Sequence, residues 1–128
     1  MLFIKKMNFT KTEIGEITSK LDGYIWVVVD VKRGVLAAGD EFVGVMKERL
    51  LKNRSHIRDI FGVGLGLEAG DIDYNSLVNR KLIDRTSTKE VPEDKRGRIE
   101  ILVRYFFGEL PVFKTERMRP RYCRRIGA

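Results

Sequence analysis

The stretch Tyr24-Ile25-Trp26-Val27-Val28-Val29, closed by Asp30 and followed by Gly34-Val35-Leu36-Ala37-Ala38, decides the architecture. Aromatic and β-branched side chains in a row favour an extended chain. The run is not broken by polar residues, so both faces of the strand read as buried. That places it in the middle of a sheet. Lys32-Arg33-Gly34 reads as a tight turn, and Val35 to Ala38 as the antiparallel return.

Working outward, Leu2-Phe3-Ile4 is a short strand. Thr10 is the N-cap of a helix, and Glu13 three residues on completes a capping box, with Phe9 and Ile14 at the staple positions. Ile14, Ile17 and Leu21 share one apolar face, and Asp22-Gly23 ends the helix. A second helix is expected from Gly39-Asp40, where Asp40 and Glu41 complement the positive end of its dipole. Phe42, Met46 and Leu50 lie on one face of it, joined by Val43 and Leu51. Asn53-Arg54-Ser55 is the exit loop.

His56 to Leu67 reads as a strand in which Gly62, Gly64 and Gly66 alternate with Val63, Leu65 and Leu67. Glu68 to Asp71 is a turn, and Tyr74 to Ile83 a further strand with Leu77 inward. Pro92 suits the first turn of a last helix. Ile99, Leu102, Val103 and Phe106 follow at i, i+3, i+4 and i+7, and Gly108 is placed as the C-cap. The order is βαββαββα. This predicts an α+β domain, three helices packed on a mixed, mainly antiparallel sheet. The domain is expected over residues 1–108, with 109–128 as a basic extension.

A chain of 128 residues with 43% hydrophobic residues supports one core without metals or disulfides. Cys123 and His56 are the only residues of their kinds, which excludes an internal disulfide, a cysteine cage and a multi-histidine site. No metal and no cofactor is expected. The N-terminus does not read as a signal peptide, and the longest apolar run is only strand length. The expectation is a cytoplasmic chain with no membrane contact. Abundant Lys, Arg and Glu with no glutamine point to a thermophilic source.

The net charge is +7, and its distribution is uneven. Lys114, Arg117, Arg119, Arg121, Arg124 and Arg125 face a single acid, Glu116, so this segment carries +5 and the rest of the chain +2. Arginines make bidentate phosphate contacts, and Tyr122 is suited to stack on a base. The segment is the best functional signal, for RNA or DNA. The competing readings are a solubilising tail and one that docks on a second subunit in a homo-oligomer.

Other constellations are weaker. The glycines at 62, 64 and 66 lack the spacing and the following helix of a dinucleotide fingerprint. A strand face stripped of side chains to admit a packed neighbour is the better reading. Asp30 and Lys32, two apart at a strand end, resemble the core of metal-dependent nucleases, with Glu41 as a further carboxylate. The tight turn at Gly34 fits that poorly. Ser55-His56 are chain neighbours, an unsuitable geometry for a catalytic pair. Asp71, Asp73 and Asp84 are too sparse for a calcium loop.

Val28-Val29-Asp30, Gly34 to Ala37, Gly39 to Phe42, Leu50-Leu51 with Ser55, Phe61-Gly62-Val63 and Tyr74 to Asn79 together resemble a family of small prokaryotic proteins, a domain of unknown function. The resemblance covers roughly residues 24–106, and it brings no activity with it. The polar residues it shares, Asp30, Glu41, Ser55, Ser76 and Asn79, are the candidates for a site. Each also has an ordinary reading, as a turn anchor, a dipole partner or a loop hydrogen bonder. The leading expectation is a non-catalytic module binding nucleic acid through the tail. The alternatives are a metal-dependent hydrolase using Asp30, Glu41 and Lys32, and a homo-oligomeric regulator.

Overall fold

Five short strands form one sheet in a computed structural model that describes residues 2–18, 23–39, 42–76, 79, 90–110 and 113. They are β1 (Phe3–Lys5), β2 (Tyr24–Asp30), β3 (Val35–Ala38), β4 (Ile60–Gly66) and β5 (Ile72–Asp73). The helices are α1 (Lys11–Thr18), α2 (Val43–Lys52) and α3 (Glu93–Phe106). The expected α+β class and element order both hold. Strand order is β1-β3-β2-β4-β5. Every pairing between described strands is antiparallel, so the sheet is not mixed.

β2 is central, as its two-sided apolarity required. Ile25, Val27 and Val29 face a large core with Ile14 and Ile17 of α1 and Ile99, Leu102, Val103 and Phe106 of α3. Val28 faces the other way, into a smaller core with Val35, Ala37, Ile60 and Met46 and Leu50 of α2. The sheet is therefore covered on both faces, by α1 and α3 on one side and by α2 on the other. Burying side chains of this size contributes roughly 2 kcal/mol each, which makes the two-sided strands the main stabilising element.

The local signals hold where chemistry is local. The Thr10 amide donates to Glu13 Oε1 at 3.0 Å, and the Glu13 amide to Thr10 Oγ1 at 3.1 Å, completing the capping box. That contact and the neighbouring Lys5 ammonium hold the Glu13 carboxyl below its ordinary value. Phe9 is fully buried against Phe107, with ring centroids 5.0 Å apart. α3 buries all four of its expected residues, and Gly97 does not interrupt it.

Several expectations are corrected. Phe42 is the N-cap of α2, with extended backbone, and is 67% exposed. Lying before the first helical turn, it does not follow the periodicity that buries Met46 and Leu50. The helix starts at Val43; Asp40 and Glu41 lie outside the described residues. The expected strand from His56 begins at Ile60, after a 3-10 turn at Ile57–Asp59 whose N-cap is His56. β5 falls at Ile72–Asp73, earlier than expected. Tyr74 is already off the strand, Asn75 makes only an isolated bridge to Glu90, and Leu77 and Ile83 lie outside the described residues. Pro92 is the N-cap of α3 and Phe107 its C-cap, each one residue before the expected place. Apolar packing runs past Gly108, because Leu110 and Phe113 are buried in the larger core.

α2 closes in an unusual way. The Ser55 amide bonds the Leu50 carbonyl at 3.0 Å, the six-to-one bond of a Schellman end. The residue that must turn left-handed is Arg54, at φ 72. Glycine or asparagine usually stands there. An L side chain in that conformation costs about 1 kcal/mol through contact of its β-carbon with the backbone.

Candidate functional site

Two groups of polar residues stand out, both on the α2 side of the sheet. The first is built at the β2–β3 turn. Asp30 shares strand parity with Val28, so its carboxylate points toward the end of α2, and it is fully buried. Oδ1 accepts from the amides of Lys32 and Arg33, both at 2.9 Å, which fixes the turn. Oδ2 is buried with no hydrogen-bond partner among the described residues. The Arg33 guanidinium donates to the Asn53 carbonyl and, at 3.3 Å, to Ser55 Oγ. Arg33 thus ties the hairpin to the exit of α2. From the opposite face of the sheet, Arg98 of α3 donates to the Val31 carbonyl at 3.3 Å.

The second group fills the glycine face of β4. Opposite that face, β2 carries Tyr24 and Trp26, whose rings meet edge-on at 5.4 Å. Tyr24 lies across Gly64, so closely that a β-carbon there would sit 2.0 Å from its hydroxyl oxygen. The Asp71 carboxylate covers Gly66 in the same manner. The Tyr24 hydroxyl donates to Asp73 Oδ2 at 3.2 Å. Gly62 has another partner. Its amide donates to Asn79 Oδ1 at 2.7 Å, and its carbonyl accepts from Asn79 Nδ2 at 3.0 Å. The Asn79 carboxamide thus acts as a peptide group, continuing the ladder of β4 beyond the end of β5. The glycine run is a strand face cleared for neighbours, not a phosphate cradle.

Burial and the nearby Asp73 and Asp71 push the Tyr24 phenol up to about 12, from an ordinary 10.0. The folded protein favours the neutral phenol. This stabilisation is complete below the ordinary value and is lost as pH rises from there toward 12. An alkaline titration followed by phenolate absorbance is expected to show a late-titrating tyrosine that Tyr24→Phe removes. An unchanged late phase in that variant would show that Tyr24 is not the group responsible.

The candidate residues divide accordingly. Asp30 and Ser55 meet through Arg33. Ser76 and Asn79 meet through the Asn79 amide, which donates to the Ser76 carbonyl at 3.0 Å. The two groups are separate: Asp30 pairs with Ile60, whereas Asn79 binds Gly62, one strand nearer the β5 edge. Lys32 is exposed in the turn, after β2 has ended, so it does not share a strand face with Asp30. His56 Nδ1 accepts from the Arg58 amide at 3.2 Å and is used as a cap. Glu41, Asp84, Lys114, Arg117, Arg119, Arg121, Tyr122, Arg124 and Arg125 lie outside the described residues. Among the described residues, no three His, Cys, Asp or Glu side chains gather as metal ligands. No helix among them is long and apolar enough to cross a membrane.

Sequence reading missed Arg33 and Tyr24 as organising residues. Arg33 had no visible signal, since its partners come from 20 and 22 residues away. Tyr24 had a partial one: an aromatic on a central strand and a glycine face elsewhere invite pairing.

No curated protein and no solved structure matches the chain. A family model does match, over residues 3–106. It starts well before Tyr24, so it takes in β1 and α1, and it stops at the end of α3, leaving the basic segment outside. The chain therefore belongs to the family described as a protein of unknown function, DUF5674.

Proposed function

We propose that the chain is a non-catalytic interaction module that binds RNA or DNA through its C-terminal segment, Lys114 to Arg125. The observation carrying this reading is the charge of that segment, +5 out of a total of +7. Such a density attracts a polyanion, and arginine matches phosphate geometry. The segment also lies outside the family match, which suits a binding function added to a common core. The polar groups of the core support the same reading. Asp30 Oδ1 holds a turn and Asn79 holds a strand edge, each a structural task.

The test compares the full chain with one ending at Phe113, which keeps the buried Leu110 and Phe113. Affinity for a labelled RNA or DNA oligonucleotide is measured against salt. Removing six cations is expected to flatten the salt dependence by about 4 in the log–log slope. Unchanged affinity and slope would overturn the reading. Light scattering on the same two proteins identifies the alternative, a segment that docks on a second copy, by a loss of mass on truncation.

A further inference from the structure

We propose that the body of the protein carries a second phosphate-binding surface, independent of the C-terminal segment, at the β2–β3 end of the sheet. Lys32, Lys52, Arg54, Arg58 and Arg98 are all exposed there. They come from three separate parts of the chain. The turn after β2 supplies Lys32, the end of α2 and the loop after it supply Lys52, Arg54 and Arg58, and α3 supplies Arg98. Backbone and side-chain hydrogen bonds hold these parts together. The Val31 amide donates to the Asp59 carbonyl at 2.9 Å, Arg33 ties the turn to Asn53 and Ser55, and Arg98 reaches the Val31 carbonyl. The acids within residues 30–34 and 52–59 are Asp59, half-buried, and Asp30, fully buried beneath the turn; Asp94 lies one helical turn before Arg98 on α3. With Arg33, residues 30–34 and 52–59 carry five cations against Asp30 and Asp59, a net +3, whereas the chain outside the C-terminal segment totals only +2. The rest of the body is therefore slightly acidic, and this end is a discrete basic face.

A second observation concerns Arg54. It occupies the left-handed position that ends α2, where glycine is free of strain. A strained residue that breaks a local rule marks a place where the side chain serves something other than the fold. Here that side chain is an exposed cation among four others. The turn that presents Lys32 is fixed by the buried Asp30 carboxylate, so the face is held before any ligand arrives. No exposed large apolar side chain lies in the turn after β2 or among residues 52–58, which favours a phosphate backbone in water over a lipid surface there; Ile101 and Tyr105 are exposed farther along α3. The partner is a nucleic-acid strand, and its phosphates are the groups recognised.

The experiment uses full-length chains and a fluorescein-labelled single-stranded RNA of about 20 nucleotides, long enough to cover several phosphate contacts. Affinity is measured against salt for the parent, for Lys32→Gln with Arg54→Gly and Arg58→Gln, and for a variant with the C-terminal arginines changed to Gln. The triple variant is expected to lose about 2 in the log–log salt slope, in the parent and in the C-terminal variant alike. Arg54→Gly alone is expected to raise the melting temperature by about 3 °C while weakening RNA binding. Those opposite signs separate a binding residue from a structural one. If the triple variant binds RNA as the parent does, this face is not used, whatever the C-terminal segment does. If Arg54→Gly lowers the melting temperature, Arg54 is kept for the fold. If instead the triple variant loses binding to phosphatidylserine vesicles and not to RNA, the partner is a membrane and the proposal falls.

Discussion

Replacing Gly64 with alanine is expected to destabilise the fold by about 3 kcal/mol, at the upper end of what overpacking costs. The new methyl would lie 2.0 Å from the Tyr24 hydroxyl oxygen and 2.5 Å from the ring carbon that bears it. Tyr24 cannot retreat into the sheet, because its own strand is paired on both sides along most of its length. It must swing away, and then it loses its hydrogen bond to Asp73 and its edge contact with Trp26. A double-mutant cycle isolates the cause. With Tyr24→Ala in the background, Gly64→Ala is expected to cost under about 1 kcal/mol, because the space is already empty. Equal costs in both backgrounds would sink the account.

Asn79→Asp is expected to cost about 3 kcal/mol at neutral pH, more than Asn79→Ala. The side chain is buried, and its Nδ2 donates to the Gly62 and Tyr74 carbonyls at 3.0 and 3.3 Å. A carboxylate keeps the acceptor for the Gly62 amide but turns an oxygen toward those two carbonyls. Alanine only leaves them unpaired. The introduced carboxyl is better accommodated when protonated, so its pKa rises in the fold. Its penalty is then largest at neutral pH and shrinks as pH falls through that raised value. Urea unfolding at neutral and mildly acidic pH reads this directly. A penalty independent of pH would show that the donor role of Asn79 is not what matters.

These two positions show how far the sequence could be read. The alternating glycines were legible as a strand with one cleared face. What cleared it was not, since Tyr24 precedes Gly64 by 40 residues and Asp71 follows Gly66 across a turn. Asn79 was visible as a polar residue in a recurring pattern. Its task as a surrogate strand depends on β5 stopping short, which no local signal records. Asp30 and Lys32 stand two residues apart, a spacing that within a strand gives a common face, but the chain turns after Asp30, so the periodicity no longer applies.

The sequence by itself determined the helix start at Thr10, the burial of Ile14 and Ile17 on α1 (Leu21 lies outside the described residues), the buried face of α3, the central place of β2, the hairpin to β3 and the concentration of charge after Phe113. Each of these rests on neighbours within a turn or a hairpin, where backbone geometry converts spacing into direction. The tertiary structure alone decided the strand order β1-β3-β2-β4-β5 and the separation of the Asp30 and Asn79 groups. It also decided the outward position of Phe42 and the gathering of cations from the β2–β3 turn, the α2 exit and α3. Those features depend on which distant segments pair. Pairing is set by the summed packing of whole faces, and a single stretch of sequence carries only one side of it.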